Sequence, residues 1–174
     1  MGQQPVKLLF GLLTPDMDRS SFSCGEPALD AYLHKQAGQD MRRGFSTVIA
    51  ARQETTPLRV VGFYTLSAAS ILLTSLPNEI ACKMPRYPSV PAIRLGRLAV
   101  DSSRQGQHIG SLLVLDALRR ACRNELAWAI FLVDAKTERT AIFYERFLFR
   151  RFQDNALALW MPRKDTERFI LHPI

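Results

Sequence analysis

The feature that constrains this chain most is an apolar strand that runs into a glycine-bearing polar turn and then into a long apolar helix. Ala92-Ile93-Arg94-Leu95-Gly96-Arg97-Leu98-Ala99-Val100-Asp101 reads as the strand, and Ser102-Ser103-Arg104-Gln105-Gly106-Gln107-His108-Ile109-Gly110-Ser111 as the turn. Two glycines let this turn bend tightly and bring its main chain close to a ligand. Ile109, Leu112, Leu113, Leu115, Ala117, Leu118, Ala121 and Cys122 then recur at helical spacing, and Arg119, Arg120 and Arg123 fall in the last turns, where cations suit the helix dipole. The first amides of such a helix have no internal partner and point outward from its positive end. A diphosphate is the expected guest.

Spacing excludes two other nucleotide-binding readings. A triphosphatase phosphate loop needs a lysine and then Ser or Thr after its second glycine, whereas Gly110 is followed by Ser111-Leu112; a dinucleotide fingerprint needs three glycines. Composition narrows the class further. A chain of 174 residues, 47% hydrophobic and without repeats, suits one α/β domain over residues 1–174. Leu8 to Leu13 is too short to span a membrane and is broken by Gly11, so it reads as a first strand, and a cytoplasmic protein without a membrane partner is expected. Cys24, Cys82 and Cys122 are odd in number and form no C-x-x-C pair, which suggests neither a disulfide framework nor a metal site. The net charge of +7 is concentrated: eight basic residues face two acids between Ala81 and Arg123. That bias suits a polyanionic substrate beside an anionic cofactor.

Taken in order, Val6 to Thr14 reads as a strand and Pro15 to Gly25 as a polar connection. A helix is expected after Glu26-Pro27, with Leu29, Leu33, Ala37 and Met41 every four residues and Gly44 as its stop. Phe45 to Ala51 and Leu58 to Ser67 read as a hairpin. The proline-rich segment from Leu76 to Pro88 cannot be one regular element, and it carries Lys83 and Arg86, candidate contacts to substrate phosphate. Trp128 to Ala135 is a strand buried on both faces, Thr140 to Phe147 a short helix, Ala156 to Trp160 a final strand, and Arg163 to Leu171 a polar tail.

The strand and turn resemble motif A of the GNAT acetyltransferases, where an Arg/Gln-x-x-Gly-x-Gly/Ala turn cradles the pyrophosphate of acetyl-CoA. Gln105-Gly106-Gln107-His108-Ile109-Gly110 fits with His108 standing at the first motif glycine; a helical first turn needs no glycine, so His108 is expected to be tolerated. Phe143-Tyr144-Glu145 resembles the Phe-Tyr-Glu of the family's late helix, with Leu148 in place of the usual glycine after it. Phe22-Ser23-Cys24-Gly25, Leu29-Asp30-Ala31-Tyr32-Leu33 and Val61-Gly62-Phe63-Tyr64-Thr65-Leu66-Ser67 resemble one branch, the toxins of bacterial type II toxin-antitoxin pairs. The resemblance implies a GNAT fold, a mixed, bent central β-sheet flanked by helices on both faces.

It also implies roles. Leu98, Ala99 and Val100 would offer backbone groups to the pantetheine arm, and Arg104, Gln105, Gly106, Gln107, His108, Ile109, Gly110 and Ser111 would take the diphosphate. Tyr144 would protonate the departing thiolate. From Ala92 to Val100 the motif strand holds no Glu, Asp or His to act as a base. A lysine amine, with a pKa near 10.4, is charged at neutral pH, whereas an α-amine near 8 is already partly neutral, so an α-amine acceptor is favoured. Arg97 shares a strand face with Leu95 and Ala99, where it is either paired with an acid or aimed at phosphate; the resemblance favours phosphate. The implied activity is acetylation of the α-amine of aminoacyl-tRNA, which blocks translation. The implied partners are that tRNA and a cognate ribbon-helix-helix antitoxin, with DNA contacted only through the antitoxin; homodimer formation is left open. The alternatives are a GNAT enzyme acting on a small-molecule or protein amine, and a non-catalytic acetyl-CoA-binding module. The basic segment argues against a small neutral substrate, and Tyr144 against a dead site.

Overall fold

The computed structural model describes residues 7–171. Seven strands form one mixed sheet in the order β1-β2-β3-β4-β5-β7-β6. β1 (Leu8–Leu12) is shorter than expected, and Val6 lies outside the described residues. The expected helix forms as α1 (Pro27–Ala31), a wider π-type stretch (Tyr32–Gln36) and α2 (Ala37–Arg42), with Pro27 in its first turn. β2 (Thr47–Gln53) and β3 (Thr56–Leu72) are the hairpin; β3 runs beyond Ser67, its expected end. The proline-rich segment holds only a 3-10 turn (Leu73–Ser75) and α3 (Asn78–Ala81).

β4 (Ser89–Val100) leads through a 3-10 turn (Ser102–Arg104) to α4 (Ile109–Arg123). Then follow β5 (Ile130–Asp134), α5 (Glu138–Glu145), β6 (Arg150–Arg151), β7 (Ala158–Pro162) and α6 (Arg163–Leu171). The last helix corrects the expectation of a polar tail: Thr166 and Phe169 are buried, and the Phe169 ring meets Phe147 at 5.9 Å. Two buried residues, only one of them apolar, suffice to dock a nine-residue helix, but they leave too sparse a pattern to read as one.

The residues cluster into two compact units. One comprises residues 7–66 and Arg97–Ala117, the other Ser67–Gly96 and 118–171. The first buries Leu13, Met17, Phe22, Tyr32, Leu33, Val48, Val60, Phe63 and Ala99 around the β1 to β3 meander. Within it Gly62 permits a close approach: a β-carbon there would stand 3.2 Å from both the Ala99 carbonyl and the Leu113 side chain. The second unit buries Leu76, Val90, Ala92, Ile130, Leu132 and Trp160. There β4 and β5 are parallel from Ala92↔Ile130 to Leu95↔Val133, while β5 and β7 are antiparallel. Among the described residues no helix is long and apolar enough to cross a membrane.

Candidate functional site

The turn expected to hold a diphosphate is fixed from both sides by hydrogen bonds. Asp101 is 4% exposed, and its carboxylate accepts from the Ser103 amide at 3.0 Å, the Ser103 hydroxyl, and the Ser23 amide at 3.3 Å. Burial acts to raise its pKa, but the bonds from Ser103 and Ser23 prevail and hold the carboxyl below the ordinary aspartate value. The Ser102 amide and hydroxyl both donate to the Ser23 carbonyl at 2.8 Å. Gln105 Nε2 donates to the carbonyls of Cys24 and Val100, at 3.0 and 3.1 Å. The Phe22-Ser23-Cys24-Gly25 phrase is therefore a brace for the turn, which a generic helix start would not need. Burial, with the Asp30 carboxylate nearby, pushes the Cys24 thiol up to about 11, so it stays protonated at neutral pH.

The turn itself is a main-chain device. Gly106 and His108 both adopt left-handed backbone, with φ of 79° and 60°. His108 thus does not sit in a helical first turn, contrary to the sequence expectation; it takes the glycine geometry at a cost of about 1 kcal/mol. Among the described residues, no carbonyl or side chain accepts from the amides of His108, Ile109, Gly110 and Ser111. With the positive end of α4 behind them, these amides fit a diphosphate. The Arg104 amide is already used, donating to the Asp101 carbonyl at 2.8 Å. Ile109 is buried and anchors the start of the helix, whereas Gln105, Gly106, Gln107 and His108 are exposed.

Leu98, Ala99 and Val100 lie beyond Leu95, the last β4 residue paired with β5. That position suits an added strand, although Gln105 already occupies the Val100 carbonyl. Arg97 is half-buried, and its guanidinium lies 3.8 Å above the Tyr32 ring. Thr65 Oγ1 accepts from its amide at 3.0 Å. Neither expected alternative for Arg97 foresaw this cation–π stack, which holds the charge over an aromatic face. Lys83 and Arg86 are exposed on the proline-rich segment of the other unit.

Tyr144 sits in the last turn of α5, 4% exposed, its ring 5.2 Å from that of Phe143 and 5.9 Å from that of Phe149. Burial pushes its phenol well above the ordinary tyrosine value, and the Asp134 carboxylate adds to the shift. The hydroxyl therefore keeps its proton throughout the neutral range. Thr137 caps the start of α5, accepting from the Thr140 amide at 3.2 Å. Beyond the helix end Leu148 adopts a φ of 69°, again taking the glycine conformation without being glycine.

Asp101, Tyr32 and Thr65 were not among the candidate site residues read from sequence. Asp101-Ser102-Ser103 does carry a local capping signature, with Asp101 accepting from the Ser103 amide. The contact of Tyr32 with Arg97 spans 65 positions and leaves no local trace.

A family model described as an acetyltransferase (GNAT) domain matches residues 46–151. A tRNA-acetylating toxin of Mycobacterium tuberculosis (strain ATCC 25618 / H37Rv) is 36% identical over 155 residues, covering 88% of this chain and 90% of the relative. A structure of AtaT complexed with acetyl-methionyl-tRNAfMet superposes with a TM-score of 0.85 at 31% identity, covering 94% of this chain and 99% of that one. A tyrosine-to-phenylalanine mutant of the AtaT toxin, bound to the C-terminus of the antitoxin AtaR and acetyl-CoA, gives 0.78 at 27% identity, covering 93% and 97%.

Proposed function

The chain belongs to the GNAT acetyltransferases, and from that premise we propose that it is a toxin that moves the acetyl group of acetyl-CoA to the α-amine of aminoacyl-tRNA and so blocks translation. The observation that carries this reading is the match of nearly the whole chain to a tRNA-acetylating toxin, and the free amides ahead of α4 support it.

Acetyl-CoA supplies the activated thioester. In this reading the amides of residues 105–111 hold its diphosphate, with Arg104 at the edge of the turn, and Leu98 to Val100 present strand-like backbone to its pantetheine arm. Tyr144 donates the phenolic proton to the departing sulfur. β4 offers no Glu, Asp or His, so the acceptor must arrive neutral, as an α-amine near pKa 8 does in part. Lys83, Arg86 and Arg97 neutralise tRNA phosphates. The partner that restrains the toxin is a cognate ribbon-helix-helix antitoxin, through which alone DNA is contacted, and the enzyme acts in the cytoplasm.

The test is cell-free translation with the purified protein. Synthesis should stop only when acetyl-CoA is present, and Tyr144→Phe should leave it running. Unimpeded synthesis with the parent protein and acetyl-CoA would overturn the reading.

A further inference from the structure

α5 is eight residues long, too short to hold its shape without tertiary anchors. It also ends on Glu145, a carboxylate at the negative end of the helix dipole, where it is locally unfavourable. Arg151 on β6 answers both problems. Its Nη1 and Nη2 donate to Glu138 Oε2 and Oε1 at 2.8 and 2.7 Å, a fork on the first turn of the helix. Its Nε and Nη2 donate to Glu145 Oε1 and Oε2 at 2.7 and 3.0 Å, a second fork on the last turn. One guanidinium thus spans the helix end to end. The Arg151 side chain is 23% exposed, and β6 pairs it with Leu159, which is fully buried on β7. Isolated surface ion pairs contribute little, but doubly forked geometry on a sheet strand fixes the rotation and axial position of a helix. Tyr144 is the residue immediately before Glu145.

We propose that Arg151 is a positioning residue, which clamps Glu138 and Glu145 and thereby holds the Tyr144 phenol in place for proton delivery. This rests on the acetyltransferase reading above. Proton transfer is sensitive to misplacement, and a shift of about 1 Å can cost on the order of a hundredfold in rate.

The experiment follows thiol release from acetyl-CoA with charged tRNA as acceptor, separating kcat from KM. Arg151→Met should lower kcat about tenfold or more while KM for acetyl-CoA changes less than about twofold. Arg151→Lys, which keeps the charge but cannot form two forks, should recover only part of the rate. In a Tyr144→Phe background Arg151→Met should lower kcat no further, because its effect passes through the phenol. A parental kcat in Arg151→Met, or an equal loss in both backgrounds, would overturn the proposal. Should circular dichroism show Arg151→Met unfolded, Glu138→Gln decides: it opens one fork, and an unchanged kcat in that variant refutes the clamp. If the parent does not use charged tRNA, the substrate reading falls by itself, and the same variants are then compared with whichever amine accepts the acetyl group.

Discussion

The phosphate turn and the tyrosine helix solve their problems with different parts of the polypeptide. In the proposed function the turn works through main-chain amides, and most of its side chains either brace it, as Gln105 does, or are exposed, as His108 is. The helix offers one side chain, the buried Tyr144, packed between the rings of Phe143 and Phe149. Each region also contains a non-glycine residue in left-handed backbone, His108 in one and Leu148 just after the other. The difference is instructive. Where function resides in amides, residue identity can drift so long as the backbone is held, whereas a phenol has no substitute.

The largest expected effect breaks the side-chain half. Tyr144→Phe should reduce turnover by about 10²- to 10⁴-fold and leave acetyl-CoA affinity unchanged, since only the acid is lost. Because burial raises the phenol's pKa, its acid form persists as pH climbs. The parent's rate should therefore rise as the acceptor amine deprotonates near pH 8 and show no falling limb through about pH 10. Equal turnover in parent and variant would reduce Tyr144 to packing.

Next comes the main-chain half. Gly110→Asp places a carboxylate in the first turn of α4, where it suits the helix dipole but repels a diphosphate. Acetyl-CoA binding followed by calorimetry should weaken by about 2 kcal/mol, roughly thirtyfold, while thermal stability holds or rises. Unchanged affinity would remove the turn from the site.

Smaller effects belong to the acceptor side. Neutralising Lys83, Arg86 or Arg97 singly should weaken tRNA binding a few-fold across many tRNA sequences and lower the salt slope by about 1 each, with acetyl-CoA affinity intact. A loss confined to one tRNA sequence would point to base readout instead.

The smallest effects compare the two left-handed residues directly. His108 is exposed, so His108→Gly relieves strain without losing contacts and should stabilise the fold by up to about 1 kcal/mol, a few degrees in Tm. Leu148 is half-buried, so Leu148→Gly trades strain for apolar contact and should lie within about 0.5 kcal/mol of the parent. Thermal melts of the two variants decide it; a large loss of acetyl-CoA affinity in His108→Gly would show the imidazole to be a ligand.

What the sequence revealed follows the same division. The β4, turn and α4 succession was legible because apolar periodicity and glycine placement are local. So was the Phe-Tyr-Glu helix. The brace between Ser23, Cys24 and the 101–105 segment joins residues about eighty apart, and its signal in the sequence was the Phe-Ser-Cys-Gly phrase, read as a branch resemblance and not as a contact. Arg97 was legible as a charge needing a partner, but the aromatic face it stacks on, Tyr32, was not. α6 was missed because its amphipathic pattern rests on two buried residues.

The most direct test of the account concerns the acceptor. The protein is incubated with labelled acetyl-CoA and either charged or deacylated bulk tRNA, the ester is hydrolysed, and the labelled product is identified. The account predicts N-acetyl amino acid from charged tRNA alone; label on protein lysines or polyamines, with none on charged tRNA, would contradict it.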